Sequence, residues 1–228
     1  MKPQSNVHAN AAWICRASPA DPMWLLPAAS RRESRWRNGG GRTFEVACDP
    51  PGSTPDGFNW RISIAEIAAP GPFSSFAGVD RTLTLVRGGS LTLWFGEDER
   101  LLTSPFDQVC FAGEQFVKTA LDSPALVVNV MTRRGLHQHH ARQVKDGERL
   151  QAAAGEILVL VALRETVRVG EAMLSRFDAA LLSPADPVLV HDADERSGLL
   201  VSISSRIDAR IGRTVHPQAC SCSRISDR

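Results

Sequence analysis

The sequence predicts an all-β protein, a sandwich or barrel of short antiparallel strands. Three observations predict it. The apolar residues recur with period two: in 58–67, FNWRISIAEI, Trp60, Ile62 and Ile64 fall on one face and Arg61, Ser63 and Ala65 on the other. Segment 81–87, RTLTLVR, alternates in the same way. Candidate strands follow one another at about 8–12 residues with Gly, Pro or Asp between them, the spacing of sandwiches and barrels. Finally, no amphipathic stretch of normal helix length stands out, and β-branched content and a bounding Gly155 favour strand over helix in 152–164.

The elements can be taken in order. Residues 1–22 lack a periodic apolar pattern and hold Pro3, Pro19 and Pro22, so a disordered tail is expected there, with the folded part beginning at Met23. Segment 36–45, WRNGGGRTFE, reads as a tight connection into a strand, or as a loop that sets Asn38 at a pocket mouth. Strands are expected at 42–47, 58–67, 81–87 and 90–95, the last two joined as a hairpin by Gly88-Gly89. Further strands are expected at 107–111, 116–121, 125–131, 157–162, 166–169, 172–181, 188–190 and 198–206. Two barrel halves with a boundary near residue 135 would fill residues 23–206. A second disordered tail, rich in Arg and Ser, is expected over 207–228.

Composition excludes several classes. Lys and Arg number 26 against 25 Asp and Glu, so no global field draws in nucleic acid or an anionic membrane. The five cysteines, Cys15, Cys48, Cys110, Cys220 and Cys222, are odd in number and scattered, which fits a reducing compartment better than a disulfide framework. The start carries no sustained apolar signal region, and the apolar run 157–163 is far short of the roughly 20 residues of a membrane helix. A cytoplasmic protein is expected.

Four segments carry a resemblance: WRNGGGRTFE at 36–45, WRISIAEI at 60–67, PGPFSSFAGVDR at 70–81 and NVMTRRG at 129–135. In this order and spacing they resemble the HutD/Ves family, densely over 36–135 and more weakly over 136–205. The resemblance implies a double-stranded β-helix, a cupin-like, RmlC-type jelly roll with two cupin halves packed as a bicupin. HutD members accompany bacterial histidine-utilisation genes and are thought to tune that pathway. Ves members are named for stress induction, and no catalytic reaction is established for either. The resemblance thus implies no cofactor.

Catalytic and metal sites are weakly supported. Metal cupins resemble one another in an H-x-H plus Glu set on one strand and a later His, and this chain has no histidine in 9–136, where a metal would have oxygen ligands alone. The cluster His137-Gln138-His139-His140 could place His137 and His139 on one face for zinc, copper or nickel, but it reads better as a solvated polar connection. Cys220 and Cys222, with His216 nearby, fall short of four zinc ligands. No G-x-S-x-G is present, and Cys48 and Cys110 sit in apolar strand contexts where thiols are inert. The arginines at 31, 32, 35, 37 and 42 around Trp36 are interrupted by Glu33 and Glu45, which weakens a nucleic-acid reading.

The expected function is non-enzymatic binding of a small carboxylate metabolite. Histidine breakdown yields urocanate and N-formylglutamate, and carboxylates select the arginine fork. Within the four segments the candidate ligand-binding residues are Asn38, Arg61, Ser63, Arg81, Asn129 and Arg133, with Arg134 adjacent. Phe73, Phe76, Phe106 and Phe111 are expected to wall the barrel. Asn129 could instead bond a neighbouring strand, and Arg81 could pair with Asp80, Glu66 or Asp107. The rival classes are a cupin-type enzyme using Glu45 or Glu66 as acid/base, and a solid barrel serving as a protein-interaction module. A homodimer is compatible with all of these.

Overall fold

The computed structural model describes residues 23–182, 187–191 and 197–206. The two terminal segments expected to be disordered, with Cys15, His216, Cys220 and Cys222, lie outside the described residues. The strands run β1 (Met23–Leu26), β2 (Glu33–Arg35), β3 (Gly41–Asp49), β4 (Trp60–Ile67), β5 (Gly71–Pro72), β6 (Val79–Gly88), β7 (Leu91–Phe95), β8 (Asp98–Leu102), β9 (Gln108–Ala112) and β10 (Lys118–Leu121). They continue as β11 (Ala125–Arg133), β12 (His137–Gln143), β13 (Arg149–Leu150), β14 (Glu156–Ala162), β15 (Thr166–Val169), β16 (Ala172–Ser175), β17 (Ala179–Leu182), β18 (Val188–His191) and β19 (Gly198–Ser205). Among the described residues one 3-10 turn occurs, at Ala28–Ser30.

These strands make four sheets. Residues 33–133 supply a six-stranded sheet, β2-β3-β4-β11-β6-β9, and a four-stranded sheet, β5-β10-β7-β8. Residues from 137 on, joined by β1, supply a five-stranded sheet, β1-β17-β14-β19-β12, and a four-stranded sheet, β13-β18-β15-β16. In each half the two sheets face each other without being hydrogen-bonded into a closed barrel.

The period-two pattern explains the layering. In β4, Trp60, Ile62 and Ile64 face a middle core that also takes Val128 and Val130 of β11 and Val159, Val161, Val201 and Ile203 of the five-stranded sheet. Ala65 and Ile67 face the opposite way, into a core shared with Leu91, Leu93 and Phe95 of β7. A third core lies inside the second half, around Leu158, Leu160, Val167, Val169 and Leu200. Strands such as β11 and β14 are therefore apolar on both faces, as buried strands must be.

Three expectations are corrected. Gly88-Gly89 does not close a hairpin, because β6 pairs with β11 and β9 while β7 pairs with β10 and β8. The pair instead turns the chain from one sheet into the other, past Asp122, Ser123 and Pro124, where a side chain would collide. The close-paired turns fall elsewhere, at Gly96 and Gly170, both at positive φ. Segment 172–181 is two strands, broken where Phe177 takes φ 70° and Asp178 Oδ2 accepts Ser175 N–H at 2.9 Å. The His137–His140 segment is not a connection but part of β12, paired along its length with β19.

Candidate functional site

Antiparallel partners directly opposite one another share a face, so register dictates which side chains meet. On the inner face of the six-stranded sheet one row runs Cys48, Arg61, Met131, Arg81, Phe111. The next runs Glu45, Ser63, Asn129, Leu83, Val109, and beyond it Ala65, Val127 and Leu85 are wholly apolar. Polar groups thus gather at one end of an otherwise apolar interior. Three residues of β4 and β6 and one of β11 meet there: Arg61, Ser63, Arg81 and Asn129.

Arg81 is the least ordinary of them. It is 6% exposed, and its guanidinium carbon lies 4.8 Å from the Phe111 ring centroid and 5.4 Å from those of Phe73 and Phe76. Nη1 donates to Ser74 O at 3.2 Å, while the buried Nε has no partner. None of the carboxylates expected for it is available. Asp80 is bound by Arg134 at 2.8 Å, Glu66 by Arg42 at 2.8 Å, and Asp107 accepts Thr103 N–H and Ser104 N–H at 2.8 Å each. Burial pushes the Arg81 guanidinium down to about 10, which still leaves it a cation at neutral pH. A buried charge costs several kcal/mol, which three desolvated cation–π contacts at up to about 2 kcal/mol each offset in large part without supplying an opposite charge. Among the described residues no carboxylate pairs with Arg81.

Its neighbours are similarly incomplete. Asn129 is 8% exposed, and its buried Oδ1 has no partner, so the neighbouring strands do not satisfy that oxygen. Ser63, 2% exposed, sits between Glu45 and Asn129 in register. Arg61 and Glu45 form an ion pair at 3.0 Å whose alignment is not that of a hydrogen bond, since Arg61 Nε is also without a bonded acceptor. Cys48 donates to Glu45 Oε1 at 3.2 Å, and burial first, then Glu45, pushes its thiol up to about 11. It is held as an unreactive thiol.

Two candidates are placed differently. Asn38 lies in the β2–β3 turn, exposed, with Oδ1 accepting Gly40 N–H at 3.0 Å. That turn is bonded to Ala68 beyond the end of β4, at the opposite end of the strand from Arg61. Arg133 follows Asn129 and Met131 on the same face, but its guanidinium donates to the carbonyls of Asp56, Ala77 and Phe58 and lies 5.7 Å from the Phe58 ring centroid. It fastens loops. Arg134 joins Asp80 to Glu114 at the strand end. Phe73, Phe76 and Phe111 do wall Arg81, whereas Phe106 packs against the middle core.

His139, read from the sequence as part of a solvated loop, belongs to the join between the halves. Its Nδ1 lies 2.8 Å from Thr132 Oγ1 and its Nε2 2.8 Å from Thr82 Oγ1, and Thr82 lies 3.2 Å from Cys110 Sγ. Both ring nitrogens are therefore engaged. Among the described residues no group of three or more His, Cys, Asp or Glu is placed to hold a metal ion. On the inner face, two arginines, an amide, a hydroxyl and one paired carboxylate do not fit the metal that many cupin-like proteins carry.

A family model described as HutD matches residues 28–201. Protein Ves of Citrobacter koseri is 43% identical over 104 residues, covering 43% of this chain and 52% of that protein. Protein Ves of Escherichia fergusonii is 41% identical over 100 residues, so the chain spans about half the length of these curated relatives, 51% in this case. An uncharacterized 21.2 kDa protein in the hutC 3′ region of Pseudomonas putida is 34% identical over 142 residues, covering 61% of this chain and 74% of that protein. Among solved structures, HutD from Pseudomonas fluorescens SBW25 aligns with a TM-score of 0.70 at 27% identity, covering 81% of this chain and 99% of that one. The bacterial pirin YhhW of Escherichia coli, in complex with nickel(II), aligns with a TM-score of 0.58 at 11% identity, covering 80% and 99%, and shows the fold alone. The fold is cupin-like.

Proposed function

We propose, from the premise that the chain belongs to the HutD family, that it is a non-enzymatic binding protein for a small carboxylate metabolite. The observation that carries this reading is Arg81: a buried cation with no carboxylate, ringed by three phenylalanines, beside the orphaned oxygen of Asn129. A ligand carboxylate supplies the missing charge to Arg81. Asn129 and Ser63 address a polar group further along the ligand, and Arg61 adds a second cation partly offset by Glu45. In water-excluded surroundings such pairings are strong and selective.

The family's association with histidine utilisation narrows the candidates to N-formylglutamate and urocanate. Binding without turnover would let the protein sense or buffer the metabolite and so tune the pathway. Among the described residues the helical content is a single 3-10 turn, and no helix there is long and apolar enough to cross a membrane.

The test is calorimetric titration of the full chain with N-formyl-L-glutamate and with urocanate, using wild type and Arg81→Met. One of the two is expected to bind saturably, and Arg81→Met to weaken it by roughly tenfold or more, a charge-assisted pair being worth about 1.5–3 kcal/mol. Because the substitution removes a buried charge that has no ionic partner, its Tm is expected to be unchanged or higher. Equal affinity in Arg81→Met removes Arg81 from the site, and no binding of either compound to wild type refutes the histidine-degradation ligands.

A further inference from the structure

The second half of the molecule holds a separate cleft of about 180 Å³, whose lining includes Arg142, Arg149, Leu150, Glu156, Leu158 and Leu200. It lies at the polar end of the five-stranded sheet's inner face. Register places His140 opposite Ser202 and Ser202 opposite Leu158, with Arg142 opposite Leu200. Leu150, Leu158 and Leu200 belong to the apolar core and form the floor. The charged groups stand around it.

Those charges are not equivalent. Arg142 is neutralised by Glu148, to which it donates through both terminal nitrogens, and it also bonds Gln143 O at 3.1 Å. That guanidinium lowers the pKa of the Glu148 carboxyl. Arg149 has no carboxylate partner among the described residues. Glu156 has one oxygen committed, Oε2 accepting Ala153 N–H at 2.9 Å, and no cation. One unpaired cation and one unpaired carboxylate therefore line the same cleft without pairing with each other.

We infer that this cleft binds a small zwitterion, an α-amino acid with an apolar side chain. Its carboxylate meets Arg149, its ammonium meets Glu156, and its side chain covers the leucine floor. A simple anion would leave Glu156 facing it, and a simple amine would face Arg149. The volume, well below the roughly 300–1,000 Å³ of drug-sized sites, excludes much larger ligands. The cleft is built from strands of the second half, so it is independent of Arg81.

Calorimetry on the full chain tests this with L-leucine, its des-amino analogue 4-methylpentanoate and its des-carboxy analogue 3-methylbutylamine. Saturable binding of L-leucine at millimolar concentration is expected, with both analogues roughly tenfold weaker or worse, as loss of a charge-assisted contact implies. Arg149→Ala and Glu156→Gln are each expected to weaken L-leucine to a similar extent. Arg149 is exposed, so its variant is expected to fold, and Arg81→Met is expected to retain L-leucine binding. Absence of saturable binding, equal binding of either analogue, or indifference to both cleft substitutions overturns the inference.

Discussion

Two nitrogen side chains on opposite sides of the six-stranded sheet, the buried Arg81 and the half-buried His139, meet opposite fates. Arg81 remains charged without an anion, whereas His139 is held neutral between two threonine hydroxyls. Burial, with a smaller contribution from His140 and against the pull of Asp80, pushes His139 down to about 4 from 6.5. An unfolded histidine takes up its proton near 6.5, so between about 6.5 and about 4 the unfolded chain binds a proton that the folded chain refuses. Stability from this group is complete above that window and is lost as pH falls through it, at about 1.4 kcal/mol per pKa unit. Tm measured from pH 7.5 to 4 is expected to fall more steeply in wild type than in His139→Gln. Parallel curves would mean that His139 protonates freely in the folded protein.

At the scale of elements, corners matter as much as strands. Gly88 takes φ 116°, and a Cβ there would meet Pro124 O inside contact distance and Ala125 Cα at 2.7 Å. Only glycine lets β6 pass the start of β11 before the chain crosses to β7 in the other sheet. Gly88→Ala is expected to destabilise by at least about 2 kcal/mol, combining backbone strain with a backbone collision. Urea denaturation with an unchanged m-value measures it, and a loss under 0.5 kcal/mol, the range of surface substitutions, would show that this corner yields easily.

At the scale of the molecule, the middle core decides whether the halves act as one. Ile203 and Val201 from the second half interleave with Ile62, Val128 and Val130 from the first, all fully buried. β1 also reaches from the N-terminal side to complete the second half's sheet beside β17. Ile203→Ala is expected to cost about 2–5 kcal/mol. It is also expected to shift one shared unfolding transition, read by calorimetry. Two separate transitions, only one of them shifted, would show that the halves are energetically independent.

The sequence by itself determined the all-β class and most strands, because period two is a local property that survives any packing. It also determined the contents of each β4 face: Trp60, Ile62 and Ile64 against Arg61 and Ser63. Family motifs pointed to Arg81 and Asn129, and register brought them beside Arg61 and Ser63. Polar strands escaped that reading. β12 carries HQHHARQ with only Ala141 buried, so its strand character comes from pairing with β19 rather than from its own pattern. Whether Arg81 was paired or alone, whether Gly88-Gly89 closed a hairpin or turned a corner, and whether Asn38 reached the site were decided only in three dimensions. Each depends on which distant carboxylate, strand or turn lies within a few ångströms, and a chain's alternation encodes which face a residue takes but not what stands opposite it.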